Sequence, residues 1–405
     1  MPADRDHHAD ESDLAVSGGL ILPGGKVDAE ALRRACEEAA ERGIEDDAAM
    51  RRVVFTIKKD IQKRLDKYLT DRIGFLSRNQ LQRLIDEGGV LVNERLPKAS
   101  TQVRAGDVIE VVVPEPPAKN IVPEDIPLDV MYEDEHLIVL NKQPDIIVHP
   151  ARSHLKGTML SALAFHFLHR SGGGLSQVGR DEARPGVVHR LDRHTSGCIV
   201  FAKQEETHWK LGHQFEHRQV DKRYLAVVQG RVEPASELIE LPIGPHPSRE
   251  KGYREKYVVR HDELGKPSTT VVRVRERYAT PRGDYTLVEL ELRTGRTHQI
   301  RVHLSYHGWP IVGDEMYGGK PFVDEAGATL IDRQALHAAV LGFTHPVRQE
   351  PLRFTAPLRG DIARLVRTLR AMSAGGERLE VRGTSVDLDH ALSRLNEDGP
   401  VLPRQ

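Results

Sequence analysis

The chain has 405 residues, a length that suggests two or three domains, and 39% of them are hydrophobic, enough to bury at least one substantial core; no run of ~18 apolar residues occurs, which excludes a membrane-spanning helix. Cys36 and Cys198 are the only cysteines and form no CxxC pattern, which excludes a disulfide framework or a zinc ribbon and points to a reducing cytoplasm. The net charge of −2 hides an asymmetry: residues 1–50 hold 13 acids and 5 bases, net −8, and the remaining chain carries +6, a mildly basic body suited to a polyanion partner.

Residues Met1 to Asp13 lack the basic-then-apolar layout of a secretory signal, and residues 1–50 as a whole read as an acidic, mostly disordered extension without aromatic residues. One stretch in it, Val27 to Arg42, has helical spacing, with Leu32, Ala35 and Cys36 on one side. A small folded domain is expected over 61–113. Leu65, Tyr68, Leu69 and Ile73 recur at helical spacing, and a second helix opens with a capping box of Ser77 and Gln80, buries Leu81, Leu84 and Ile85, and stops at Gly88. Strands follow at Val90 to Val92 and Val108 to Val113, with Gly106-Asp107 as the turn before the second. Residues 114–124 hold Pro114, Pro116, Pro117 and Pro123 and read as a stiff linker.

From 125 to 372 the pattern becomes strands with occasional helices. Strands are expected at Val130 to Tyr132, Leu137 to Asn141, Cys198 to Ala202, Tyr224 to Gln229, Thr270 to Arg275 and Tyr285 to Leu292, with a helix at Glu205 to Glu216. This predicts an α+β fold on a mixed or antiparallel sheet. Residues 373–405 read as a polar extension with one helix, Asp387 to Leu395.

The two-helix-then-strands unit resembles the alpha-L RNA-binding domain, first named from a small-subunit ribosomal protein. The resemblance is carried by Arg64-Leu65-Asp66-Lys67-Tyr68-Leu69, Ser77-Arg78, Leu84-Ile85, Gly89-Val90, Val92-Asn93 and Gly106-Asp107. Residues 51–119 hold 14 bases and 9 acids, and Lys63, Lys67, Arg72, Arg78 and Arg83 on or beside its helices are the expected phosphate contacts. Charge alone favours ordinary solvated helix faces; the motif is what points to RNA.

The most informative segment is His189-Arg190-Leu191-Asp192-Arg193-His194-Thr195-Ser196-Gly197, an acid between two arginines at the mouth of an apolar strand that ends in Phe201-Ala202-Lys203. Read without context it is a capped loop with a surface salt bridge. It matches the signature loop of the RluA-type pseudouridine synthases at every fixed position, and further segments follow in the family's order: Asn141-Lys142 with Val148-His149-Pro150, Lys222-Arg223-Tyr224-Leu225-Ala226, the run Gly295 to His303, Pro310-Ile311, Gly313-Asp314, Tyr317-Gly318, Leu336-His337-Ala338 and His345-Pro346.

The resemblance implies an RNA pseudouridine synthase with Asp192 as its essential carboxylate. Tyr224 would stack on the target base and assist removal of the C5 proton, and Arg301 would pair with Asp192. Ile300 would pack against the pocket, and Arg190 would help to displace the uridine. Arg296 and His149 complete the expected substrate-binding set. Isomerisation breaks the C1′–N1 bond, turns the uracil and rejoins it through C5, so no redox change and no cofactor is expected. A carboxylate must be ionised to act as nucleophile or base, and a neighbouring guanidinium favours that form. The target base must be everted from its stack, at about a few kcal/mol. An alpha-L domain ahead of the catalytic domain implies the branch that modifies large-subunit ribosomal RNA, either free or in a pre-ribosomal particle. A transfer-RNA enzyme and a non-catalytic RNA-binding or ribosome-assembly factor are the alternatives. A nucleoside hydrolase would need a second carboxylate as acid, and no paired acidic motif accompanies the signature.

Other motifs weigh less. His298 and His303 are five apart, off a common helix face, and no HExxH occurs, so no metal is expected. Gly172-Gly173-Gly174 lacks a following Lys-Ser or Lys-Thr and is a flexible loop rather than a phosphate cradle. Cys198 reads as core, and Lys142 as structural. A cytoplasmic monomer is expected, with no membrane partner.

Overall fold

The computed structural model describes residues 19–41, 52–76, 78–114, 121–149, 156–178, 184–248, 256–373 and 375–393, which form two compact units, one within residues 1–119 and one in the remainder of the chain.

The first unit contains helix α1 (Ala29–Glu41), strands β1 (Arg52–Thr56) and β2 (Lys63–Arg64), helices α2 (Leu65–Arg72) and α3 (Arg78–Asp86), and strands β3 (Val90–Val92), β4 (Gln102–Val103) and β5 (Val108–Val112). β5 lies between β1 and β3, antiparallel to both, and β2 pairs with β4. Alternation along β1 and β5 turns Val53, Phe55, Ile109 and Val111 inward, where they share a core with Leu65, Tyr68 and Leu69 of α2 and Leu81 and Ile85 of α3. Gly88 stops α3 at φ +78, whereas its expected cap, Ser77, lies outside the described residues. The N-terminal extension differs from its reading as a solvated tail: Leu20, Val27 and Leu32 are buried in this core, and Val27 N donates to Arg72 O at 2.8 Å. Three apolar residues in an acidic stretch carry little local signal, and the surface that covers them exists only after α2 has folded.

The second unit begins with strands β6 (Val130–Glu133) and β7 (Leu137–Lys142), helix α4 (Met159–His166), strand β8 (Ser196–Ala202) and helix α5 (Glu205–Glu216). Strands β9 (Asp221–Gln229), β10 (Ser236–Glu240), β11 (Ile243–Pro245), β12 (Tyr257–Val259), β13 (Thr269–Thr280) and β14 (Gly283–Leu292) lead to helix α6 (Gln299–Tyr306). Strands β15 (Phe322–Val323), β16 (Thr329–Ile331), β17 (Leu336–Thr344) and β18 (Pro351–Thr355), helix α7 (Gly360–Met372), strand β19 (Glu377–Arg378) and helix α8 (Leu388–Ala391) complete it. Ten strands make one sheet in the order β10-β13-β14-β9-β17-β8-β7-β6, with β18 on β17 and β19 on β13. All pairings are antiparallel except β17 with β8, so the sheet is mixed as expected.

The parallel contact is short, His337 with Ser196 and Ala338 with Gly197, and it explains one glycine. Gly197 has φ +112, and a Cβ there would lie 2.3 Å from the Ala338 carbonyl oxygen, so only glycine lets the signature loop enter the sheet at this point. Every residue of β8 is buried. Cys198 lies within it, where burial pushes its thiol up to about 12, in keeping with a core residue.

The C-terminal stretch also differs from its reading as an extension beyond the catalytic domain. Val386, Leu388 and Ala391 are buried in the same core as β13 and β14, Arg275 Nη1 donates to Val386 O at 2.8 Å, and Ser385 N donates to Glu289 Oε1 at 2.8 Å. The helix expected over Asp387 to Leu395 is four residues long, with Asp387 capping the amides of Asp389 and His390.

Candidate active site

The signature loop is held from three sides. Lys142, at the end of β7, is fully buried and donates to the carbonyl oxygens of Gln143, Arg193 and Thr195, each at 2.9 Å. Burial drives its pKa well down, and three carbonyls match the three N–H donors that the ammonium must satisfy. His189 Nε2 accepts from Val200 N at 3.1 Å while the ring stacks on Phe215 with centroids 4.4 Å apart. Burial, then the charge of Lys222, push His189 down to about 3, so it is a neutral anchor. Ser196 Oγ donates to His337 Nδ1 at 2.9 Å, His337 Nε2 donates to Ala356 O at 3.2 Å, and Arg333 Nη1 donates to His194 O at 2.8 Å. Within the loop, Thr195 N closes a turn onto Asp192 O at 3.1 Å. The side chain of Asp192 is left 23% exposed, open to the cleft but not to bulk solvent on all sides.

Arg301 comes from α6. Gln299, in the first turn of that helix, accepts from Thr294 Oγ1 at 2.8 Å and Arg296 N at 3.0 Å, and donates to Thr269 O and Thr270 Oγ1, which fixes the turn leading into the helix. The Arg301 guanidinium makes a bidentate pair with Asp314 at 2.7 and 2.8 Å, lies 4.8 Å over the Tyr317 ring, and points its remaining Nη1 at Asp192 Oδ2 at 3.2 Å. Burial opposes its charge, but the hydrogen bonds and charge of Asp314, with Asp192 and Tyr317, raise its pKa above the ordinary arginine value. His298 Nε2 stands 3.8 Å from the same Asp192 oxygen, and its Nδ1 is 2.9 Å from the Tyr317 hydroxyl. Burial pushes His298 down, which keeps it neutral near pH 7. His303 has both ring nitrogens engaged, with Thr270 Oγ1 at 2.9 Å and Leu241 O at 3.0 Å, and is a core residue.

Tyr224 lies on β9, in the middle of the sheet. The residue is 9% exposed and lines the same cleft, and burial, then the charge of Asp192, push its phenol pKa up. The phenolate is therefore the disfavoured form, so this geometry suits a stacking face better than a general base.

Asp192, Tyr224, Arg301, Arg190, Ile300 and Arg296 all line one cleft of about 990 Å³. His149 does not line it. It is buried, its Nδ1 has no hydrogen-bond partner among the described residues, and burial with the charges of Arg184 and Arg190 pushes it down to about 4. Pro150 is outside the described residues. In the first unit, Lys67 is exposed, Lys63 pairs with Asp71 and Arg83 with Glu87, and Arg72 donates to Gly24 O at 2.8 Å and covers the Tyr68 ring. Arg78 pairs with Asp66, a fully buried carboxylate that also takes Arg64 and Gln82. Asp66 thus fixes two half-exposed arginines on one surface.

Sequence reasoning missed the parts that hold the centre rather than form it. Asp314 and Tyr317 stood in the Gly313-Asp314 and Tyr317-Gly318 motifs without a role, and Gln299 had none. A carboxylate followed at short range by a tyrosine, downstream of the motif arginines, is the available signal.

A cleft carboxylate oriented by a doubly anchored arginine, facing a buried aromatic ring on a mixed sheet, is the arrangement expected of a pseudouridine synthase. A family profile for RNA pseudouridylate synthase matches residues 136–306, and one for the S4 domain matches residues 63–109. The chain is 41% identical over 308 residues to an uncharacterized RNA pseudouridine synthase of Bacillus subtilis, covering 76% of this chain and 94% of that one. It is 38% identical over 319 residues to the ribosomal large subunit pseudouridine synthase D of Xylella fastidiosa, covering 77% and 90%. Among solved structures, human RNA pseudouridylate synthase domain containing 1 matches at 25% identity and a TM-score of 0.47 over 68% of this chain and 98% of its own. The chain belongs to the RNA pseudouridine synthases, isomerases that convert uridine in RNA to pseudouridine, and carries an S4 RNA-binding domain ahead of the catalytic one.

Proposed function

We propose that this enzyme modifies uridines of large-subunit ribosomal RNA and that Asp192 is the catalytic group. The observation that carries the second statement is the 3.2 Å contact between Asp192 Oδ2 and an arginine that Asp314 holds in place. One carboxylate oxygen is oriented by that contact. The carboxylate acts at the sugar as the C1′–N1 bond breaks, and Arg301 holds it in register throughout. Tyr224 keeps the detached uracil stacked while it turns, so that C5 rather than N1 meets C1′, and the C5 proton then leaves. Arg190, exposed beside the acid, fills the space of the everted nucleotide, and Ile300 and Arg296 wall the base and its backbone.

The substrate reading is supported by relatives from Xylella fastidiosa and Xanthomonas campestris, both named ribosomal large subunit pseudouridine synthase D, and by the S4 domain over residues 63–109. The domain limits that go with this reading are 61–113 for RNA binding and 125–372 for catalysis, a cytoplasmic monomer being the working form. The test is carbodiimide primer extension on large-subunit ribosomal RNA from a deletion strain complemented with wild type or Asp192→Ala. The alanine form is expected to leave the sites unmodified while binding RNA normally. Restored modification would remove Asp192 from the chemistry, and an unchanged ribosomal pattern in the deletion strain would remove the substrate.

A further inference from the structure

The cleft extends beyond the uridine site, past the start of β9 and the end of α5, and this extension holds two cations without ion-pair partners among the described residues. Lys222 precedes Tyr224 by two residues, so the alternation of β9 puts both on the face that lines the cleft, ~7 Å apart along the strand. The Lys222 ammonium lies 5.9 Å from the centre of the Phe215 ring and has neither a hydrogen bond nor an ion pair among the described residues. Gly295 leaves it open: a Cβ at that position would sit 3.7 Å from Lys222 Nζ. Arg218, just past α5, lines the same stretch, also without an ion-pair partner among the described residues.

Nearby carboxylates do not neutralise these cations. Asp221 and Glu291 both pair with Arg223, at 2.7 Å each, and Glu291 also takes Arg273 at 2.9 Å. Glu216 lines the cleft but pairs with neither cation. Two like charges facing one cavity repel, and the lysine pKa falls through burial and then through Arg218. An arrangement that destabilises itself in this way is relieved when an anion enters.

We infer that Lys222 and Arg218 form an anion subsite that grips a phosphodiester of the RNA strand next to the everted uridine. The inference rests on the reading of this cleft as the uridine site. A nucleotide whose base lies on Tyr224 carries its phosphates at its own sugar, so an anion reaches the lysine without stretching the strand. The subsite supplies affinity: it grips the backbone beside the target equally before and during the turn of the base.

The experiment uses the full-length enzyme and an unmodified transcript of large-subunit ribosomal RNA carrying tritium at uracil C5. Binding is measured by filter retention across a KCl series, and tritium release in single turnover at saturating enzyme. Lys222→Met is expected to weaken binding and to reduce the slope of log affinity against log salt by ~0.7, the loss of one phosphate contact on a single strand. Lys222→Arg is expected to keep the slope, and Arg218→Gln to lower it similarly. The saturating rate of Lys222→Met is expected to stay within about threefold of wild type, since the contact is made before and during the reaction alike. An unchanged slope for Lys222→Met overturns the subsite, and so does a collapse of the saturating rate with intact binding. Wild type that binds the transcript but releases no tritium overturns the reading of the cleft instead, and the salt slopes still decide the subsite.

Discussion

Asp314 offers the sharpest test of how the centre is held. It is 2% exposed and gives both carboxylate oxygens to Arg301, at 2.7 and 2.8 Å. Asp314→Asn keeps one acceptor and turns an N–H₂ donor toward the guanidinium, so one charge-assisted bond is lost and two donors face each other. Such a bond contributes about 1.5–3 kcal/mol, which places the loss of Arg301 alignment at about 2–3 kcal/mol. If Arg301 orients Asp192 in the transition state, that loss is a fall of roughly 30- to 150-fold in the single-turnover rate. RNA affinity is expected to stay within about threefold, because Asp314 is buried and touches no phosphate. Tritium release from C5-labelled RNA reads the rate, and thermal melting in parallel keeps the assay well below the variant's Tm. A folded variant whose rate stays within about threefold of wild type would refute the claim that Asp314 acts through Arg301.

His189 and His337 are both buried, with pKa values of about 3 against 6.5 in an unfolded chain. Below pH 6.5 the unfolded chain takes up protons that the folded one refuses, so each costs up to about 1.4 kcal/mol of stability per pH unit as pH falls toward 3. Urea denaturation across this window should show that slope, and His337→Gln should flatten it by about one such increment; an unchanged slope would contradict a neutral buried His337. Gly197→Ala should destabilise the catalytic unit by about 3 kcal/mol or more, because its φ is +112 and the new methyl meets the Ala338 carbonyl; denaturation midpoints within about 0.5 kcal/mol of wild type would disprove that packing. Asp66→Ala removes the hydrogen bonds that fix the half-exposed Arg64 and Arg78 and should cost the first unit about 1.5–3 kcal/mol together with RNA affinity, while the rate at saturating RNA stays unchanged; filter binding and single turnover separate the two effects.

Much of the fold is local and therefore legible in the sequence. β3 spans Val90–Val92 and α5 spans Glu205–Glu216, as their spacing predicts, because a continuous apolar period with polar flanks needs no partner to declare itself. The strand expected at Thr270 to Arg275 runs on to Thr280, since the polar Glu276 and Arg277 hide its continuation. There Glu276 is buried against Arg370, far away in sequence, and Tyr278, its neighbour on the same strand face. β17 is the central strand least visible beforehand. Its His, Ala and Gly residues favour no strand, and it is a strand because β9 and β8 flank it.

The amino-acid sequence by itself singled out Asp192, Tyr224 and Arg301, since they sit in motifs whose residue types and order survive being read as text, and the fold brings all three to one cleft. Tertiary structure alone decided what holds and surrounds them. Asp314 is recruited to Arg301, Lys142 ties three carbonyls of the signature loop, and residues 386–391 close the core from the far end of the chain. The physical reason is the range of each interaction. Periodicity and capping act within a few residues, whereas a buried ion pair or an apolar contact is favourable only once distant segments have excluded water from between them.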